Sequence, residues 1–330
     1  MVSLKKCIRF ILTVIILIIF VFAPTVTYKR LNENKDGYTE ESEYKNIIQV
    51  WHIDTFPGGY GSRKNCLNNI AKEYEKNNQG VLISVISQSV ESANLLIKEN
   101  SYPDIISYGI GVDIDVSKLL KVPSNFIGGK IDNVCYALPW ARNDYFLIYN
   151  SNYNSKKDNI SVGLSNYNLP NYALAINDYD LANCNYLSLD DAYQDFIFGK
   201  TNAIVGTLRE VYRLEKRGIS FNLKHLSGFT DMIQYISIYD KGNQKNKYSL
   251  DFLEYVNNVE IKKIDEQIGL MKVGGENSFE SERLLQFEYD DKINTLSPFL
   301  GKNIATIFQN ESKKCLTKND LTNILKNCIL

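Results

Sequence analysis

The sequence predicts an α/β protein, a parallel, doubly wound sheet arranged in two lobes. Three observations lead there. The apolar run Ile47 to Trp51 reads as a short buried strand, a polar glycine-rich turn follows, and Leu67, Ile70, Ala71 and Tyr74 then recur at helical spacing. Strand and helix patterns alternate along the rest of the chain, which is the signature of βαβ units. The 330 residues exceed one small core and suit two domains.

The elements follow in order. Lys5, Lys6 and Arg9 precede an apolar run from Phe10 that reaches Val26. The pattern fits a secretory signal or a short membrane anchor. Pro24 stands just after the small-residue position of Val21-Phe22-Ala23, where it should hinder cleavage, so residues 1–27 are expected to remain as a membrane-spanning helix. Positive residues before the run and acids after it put the amino terminus inside. Residues 28–46 are polar and charged, as in a flexible tether. The remainder would then be extracytoplasmic.

Gly80 to Ile86 is rich in β-branched residues and reads as a second strand; Glu91 to Glu99 is a short helix and Tyr102 to Gly109 a third strand. Val134 to Asn150 holds two β-rich runs interrupted by Pro139 and reads as a crossing into another lobe. Asn150 to Asn159 is loop-like. Leu189 to Phe198 is helical and Gly199-Lys200 stops it. Ala203 to Thr207 is a buried strand and Leu208 to Lys216 a helix. Ile233 to Tyr239 is a strand suited to a return crossing. A helix is expected from Ser249, and another near Thr317 with Asp320 in its first turn.

Composition excludes several functions. Net charge is −1, which gives no support to nucleic-acid binding. Six cysteines, Cys7, Cys66, Cys135, Cys184, Cys315 and Cys328, form no C-x-x-C pair, and His52 and His225 are the only histidines, so no zinc site or other cofactor is expected. A Cys315–Cys328 disulfide is open on spacing alone. No nucleophile–base motif or Walker loop is present, and Gly58-Gly59-Tyr60-Gly61 lacks the spacing of a dinucleotide loop, so an enzyme has little support.

The strand–glycine loop–helix start, Ile70-Ala71-Lys72-Glu73-Tyr74-Glu75, Pro103-Asp104-Ile105-Ile106, Tyr136-Ala137-Leu138-Pro139, Leu147-Ile148-Tyr149-Asn150, Phe198-Gly199-Lys200-Thr201-Asn202-Ala203 and Phe252-Leu253-Glu254-Tyr255-Val256 occur in this order. Together they resemble the extracellular solute-binding proteins of family 1, the group of the maltose-binding proteins, over roughly residues 47–275. The resemblance implies a two-lobed periplasmic-binding-protein-like fold of type II, with a hinge and an interlobe cleft that closes on a ligand. Lobe one would hold 47–135 and lobe two 136–235. Residues 236–330 would supply the return crossing and carboxyl-terminal helices packing on the lobes. The stretch between Asn150 and Leu189 is shorter than in typical members.

Ligands of open α/β sheets sit at the carboxyl ends of strands. Asp54, Thr55, Tyr60, Ser62 and Arg63 crowd the first such loop, beside a helix N-terminus. Tyr108 follows the third strand, at a position where the resemblance implies an aromatic. Trp140 and Asn143 lie at the lobe crossing, Asn143 where sugar binders can carry an acid. Thr207 and Arg209 follow the lobe-two strand, and Tyr235 lies on the return crossing. Aromatic faces stack on sugar rings, and carboxylates, amides and guanidinium groups pair with hydroxyls. Each residue also has a plainer use: Tyr108 and Trp140 as packing, the arginines as solvated or ion-paired groups, and His52 as a satisfied core histidine. The implied function is capture of a small polar solute, most simply a carbohydrate, for the membrane subunits of an ABC permease. The alternatives are a sensing module for a membrane receptor kinase and an extracytoplasmic enzyme.

Overall fold

The structure is a computed structural model that describes residues 46–123, 127–155, 158–258, 263–274, 277–289 and 293–326. The expected membrane segment, Cys7, Cys328 and all of the tether except Asn46 lie outside these residues. Among the described residues no helix is long and apolar enough to cross a membrane.

The apolar run that begins the fold becomes β1 (Asn46–Ile53), whose Ile48, Val50 and Ile53 are fully buried. The helix after it, α1 (Arg63–Asn77), turns Cys66, Leu67, Ile70, Ala71 and Tyr74 inward. Each large apolar side chain buried in this way contributes about 1.5–3 kcal/mol. Two more strands, β2 (Val81–Gln88) and β3 (Ile105–Tyr108), flank β1 in parallel, with α2 (Val90–Lys98) between them. A small hairpin of β4 (Lys130–Ile131) and β5 (Val134–Cys135) turns through Asp132 and Asn133. Both residues have positive φ, 50° and 64°, as a two-residue hairpin turn requires.

The first sheet is completed by β6 (Leu138–Arg142) and β12 (Ile233–Ile238), in the order β2-β1-β3-β12-β6. Here the structure departs from an all-parallel sheet. β12 runs antiparallel to both β3 and β6, because β6 leaves this sheet for the second one and β12 re-enters from it. Pro139 does not interrupt the strand as expected. It lies inside β6, an edge strand, opposite a register shift at Gln234/Tyr235, where a missing N–H is tolerated. The break falls instead at Asn143-Asp144.

The second sheet has the order β11-β7-β10-β8-β9, from β7 (Tyr145–Tyr149), β8 (Ile160–Leu164), β9 (Cys184–Ser188), β10 (Ala203–Thr207) and β11 (Asn222–His225). Its helices are α3 (Pro170–Ile176), α4 (Leu189–Ile197) and α5 (Leu208–Lys216). Thus the segment 136–235 gives β6 to the first sheet and begins its own sheet at Tyr145. No element is expected from sequence between Asn159 and Leu189, where the structure places β8, α3 and β9.

Beyond β12, α6 (Asn243–Asn257) starts after Gly242, six residues before the expected Ser249, and packs on α1 through Tyr74, Phe252 and Tyr255. The short helices α7 (Ile264–Ile268) and α8 (Glu282–Leu285) precede α9 (Lys302–Ser312) and α10 (Lys318–Leu325). The expected Thr317–Asp320 capping box opens α10. α9 lies on lobe two, where Asn171 Nδ2 donates to the Ser312 carbonyl at 2.9 Å and Gln309 Nε2 to that of Asn168 at 3.1 Å. Its first residues reach lobe one, with Lys302 N donating to Asp113 Oδ1 at 2.9 Å and Lys302 Nζ 3.2 Å from Glu91.

Both sheets belong to one compact unit, Asn46–Leu330. Loops outside the two sheets meet where the Tyr167 ring lies on Gly111. Gly111 has φ +99° and a Cβ there would fall on the ring. Gly111→Ala is therefore expected to cost about 1–3 kcal/mol, read as a lower denaturant midpoint with an unchanged slope.

Candidate ligand site

A buried, hydrogen-bonded histidine lies at the end of β1, beside the loop. His52, on β1, is fully buried, and its Nε2 lies 3.0 Å from Asp54 Oδ1. Its Nδ1 lies 3.1 Å from Ser107 Oγ on β3. That oxygen also accepts from Trp140 Nε1 at 3.0 Å and Gln234 Nε2 at 3.1 Å. A serine hydroxyl has two acceptor sites and one proton, so its proton goes to His52 Nδ1. The Nε2–H of His52 then donates to Asp54. Burial holds the His52 pKa below its ordinary value against the pull of Asp54, in keeping with a neutral ring.

A second buried group grips the same carboxylate oxygen. Arg63, the first residue of α1, donates from Nε to Asp54 Oδ1 at 2.6 Å and from Nη2 to the Phe56 carbonyl at 2.6 Å. Its guanidinium lies 4.1 Å over the Phe56 ring. Burial would raise the Asp54 carboxyl, but His52 and Arg63 outweigh it and hold the pKa well below the usual range. The side chain of Asp54 is nevertheless 57% exposed, and its Oδ2 has no partner among the described residues. The result is an ionised, immobilised carboxylate with one oxygen presented to solvent.

The remaining expected residues divide by environment. Tyr60 is half exposed and donates from its hydroxyl to the carbonyls of Asp265 and Glu266. Ser62 caps α1, accepting from Asn65 N at 3.3 Å. Thr55 is buried against Gly109. Tyr108 and Tyr235 are neighbours across the β3–β12 pair and, with Trp140, are buried inside lobe one. Tyr108 bonds Ser237 at 3.0 Å. Thr207 caps α5 with Glu210, and Arg209 pairs with Asp190 at 3.1 Å.

Asn143 is buried at the crossing and ties three segments together. Its Nδ2 donates to the Pro57 carbonyl of the glycine loop at 2.9 Å, and its Oδ1 accepts from Leu208 N of lobe two at 3.2 Å. Its carbonyl accepts from Thr230 Oγ1 on the return crossing at 2.7 Å. Two carboxyls escaped the sequence reading here, since neither lies in a motif. Asp144 bonds His225 Nε2 at 2.8 Å and lies 3.6 Å from Arg142 Nε. Burial would raise its pKa, but the Arg142 charge and the His225 hydrogen bond hold it low. Asp231 accepts from Tyr145 Oη at 2.6 Å, Leu169 N at 2.7 Å and Asn168 Nδ2 at 3.3 Å. With no cation beside it among the described residues, burial dominates and pushes its pKa up to about 6.

The fold is that of solute-binding proteins. The chain is similar to the maltodextrin-binding protein MalE1 of L. casei BL23, at 13% identity and a TM-score of 0.57, over 86% of this chain and 98% of that one. It is also similar to the galacto-N-biose-/lacto-N-biose I-binding protein of a Bifidobacterium longum ABC transporter, at 10% identity and 0.56, over 86% and 97%. Iron-bound HitA of Pseudomonas aeruginosa gives 12% identity and 0.50, over 81% and 99%. No family model and no curated protein matches the chain in sequence.

Two outcomes test these assignments. Ser107→Ala removes the proton that fixes His52 and the acceptor of Trp140 and Gln234, so it should destabilise by about 1–3 kcal/mol, read by chemical denaturation. Asp231 has a raised folded pKa, so its stabilisation is complete below about pH 4 and is lost as pH rises through about 6. Relative to wild type, Asp231→Asn should therefore gain on the order of 3 kcal/mol between pH 4 and 7; parallel stability–pH curves would refute the assignment.

Proposed function

We propose that this chain captures a small polar solute, a carbohydrate, on the extracytoplasmic side and hands it to an ABC permease after hinge closure, tethered by an amino-terminal membrane helix. The observation that carries the reading is Asp54. A carboxylate held ionised by two buried groups, with one oxygen free and exposed, is prepaid in orientation and accepts hydroxyl protons in charge-assisted bonds. The half-exposed Tyr60 ring, six residues along the same loop, offers an apolar face of the kind that sugar rings stack on.

The lobe-to-lobe ties support the closure step. Asn143 bonds both the glycine loop and α5, so a ligand engaging Asp54 acts on a loop already coupled to lobe two. Two of the similar proteins bind a maltodextrin and a galacto-N-biose or lacto-N-biose sugar, which favours neutral oligosaccharides as the first class to try.

Isothermal titration of the full chain with maltodextrins and hexosamine-containing disaccharides tests the reading. One class should bind, and Asp54→Asn should weaken it at least tenfold, about 1.4 kcal/mol. Because Asp54 also holds Arg63, the fold of the variant is checked by circular dichroism. Absence of binding by a folded wild-type chain, or binding indifferent to Asp54→Asn, would refute the proposal.

A further inference from the structure

A cavity of about 480 Å³ opens beside Tyr60 of the glycine loop. It is lined by Tyr60, Tyr212, Glu215, Lys216, Glu280 and Ser281, and by none of the residues that hold Asp54. Its volume falls within the range of sites for small ligands, roughly 300–1,000 Å³. Three separate segments build it: the first loop of lobe one, the carboxyl-terminal half of α5, and the stretch before α8.

The walls are fixed in advance. The rings of Tyr60 and Tyr212 meet edge to face, with centroids 4.9 Å apart at 80°. Both crowd Gly269, where a Cβ would overlap both rings. The Tyr60 hydroxyl is anchored at 3.0 Å and 2.7 Å to two carbonyls of α7. An edge-to-face pair uses the face of only one ring, so the other keeps a face for a ligand.

The charge of the cavity is acidic on one side. Glu215 accepts from Ser281 Oγ at 2.6 Å and lies 4.0 Å from Arg283 Nε, which partly offsets it. Glu280 is exposed and has no ion-pair partner among the described residues. The buried Asp265 behind the rings is offset by Lys272 at 3.1 Å. Burial raises the pKa of the Tyr60 and Tyr212 hydroxyls, and the neighbouring carboxylates Glu280 and Asp265 raise both further. Lys216 is on the wall, but as an exposed, flexible ammonium it can turn to solvent.

We infer that this cavity is a second ligand site, taking a small organic cation whose ammonium group lies against a tyrosine face and pairs with Glu280. Aromatic faces with an adjacent carboxylate are the chemistry that selects an ammonium over a neutral group of the same shape. An occupant would bridge Tyr60 of lobe one to Tyr212 of lobe two, and so would favour the closed arrangement of the lobes. The site shares the Tyr60 ring with the sugar reading but none of its carboxylates, so Glu280 and Tyr212 distinguish the two.

The test is titration of the full chain with choline and with 3,3-dimethylbutan-1-ol, its neutral isostere, followed by protein-observed NMR. Choline should bind, and the isostere about fivefold more weakly or worse. Glu280→Gln and Tyr212→Leu should each weaken choline about fivefold, and Asp54→Asn should leave it unchanged. Failure of choline and of tetramethylammonium to bind a folded chain overturns the inference. So does equal binding of the isostere, or loss of choline binding in Asp54→Asn alone. Sugar binding through Asp54 without cation binding removes only this inference, and cation binding in a chain that takes no sugar removes only the reading above.

Discussion

The chain of hydrogen bonds that runs from Trp140 and Gln234 through Ser107 and His52 to Asp54 is the constraint on which lobe one is organised. It crosses the sheet from β6 and β12 through β3 to β1. Every member except the last is buried, and unsatisfied polar groups in that position would each cost about 1–3 kcal/mol. The strand pairing brings these donors and acceptors together. That arrangement delivers a directed proton to a carboxylate at the surface. Arg63 supplies the countercharge from the first turn of α1, so loop, helix and sheet meet on one oxygen atom.

The connection between the lobes rests on a different kind of group. Asn143 is neutral and carries both donors and acceptors, which lets one side chain tie the glycine loop, α5 and the return crossing at once. An acid at that position could accept from Leu208 but could not donate to the Pro57 carbonyl. The residue that the resemblance implies for a ligand thus serves here in joining the lobes. The carboxyl-terminal segment adds a second tie, since α9 lies on lobe two while Lys302 at its start holds Asp113 and Glu91 of lobe one.

Three buried or half-buried carboxyls show how environment sets charge. Asp54 and Asp144 each have an arginine and a histidine at hand and stay ionised despite burial. Asp231 has only neutral donors, and burial wins. A hydrogen bond from a tyrosine or an amide offsets part of the desolvation cost but supplies no opposite charge. The same residue type is an ion-pair anchor at two places and a partly protonated acid at the third.

The sequence by itself determined the local elements whose signals are short in range. Periodicity placed β1, α1, β10 and α5, the N-cap at Thr317 was readable from residue type, and the alternation of elements predicted an α/β fold. The order of short motifs carried the resemblance to binding proteins. What only the tertiary structure decided depends on strand pairing and on contacts between distant segments. Tyr108, Trp140 and Tyr235 look like ligand-stacking aromatics until the β3–β12–β6 register buries them. Asp54 gains its meaning from Ser107, 53 residues on, and Tyr60 from Tyr212 on the other lobe. Glu280 belongs to no motif, because a cavity wall assembled from three segments leaves no period or spacing in any one of them.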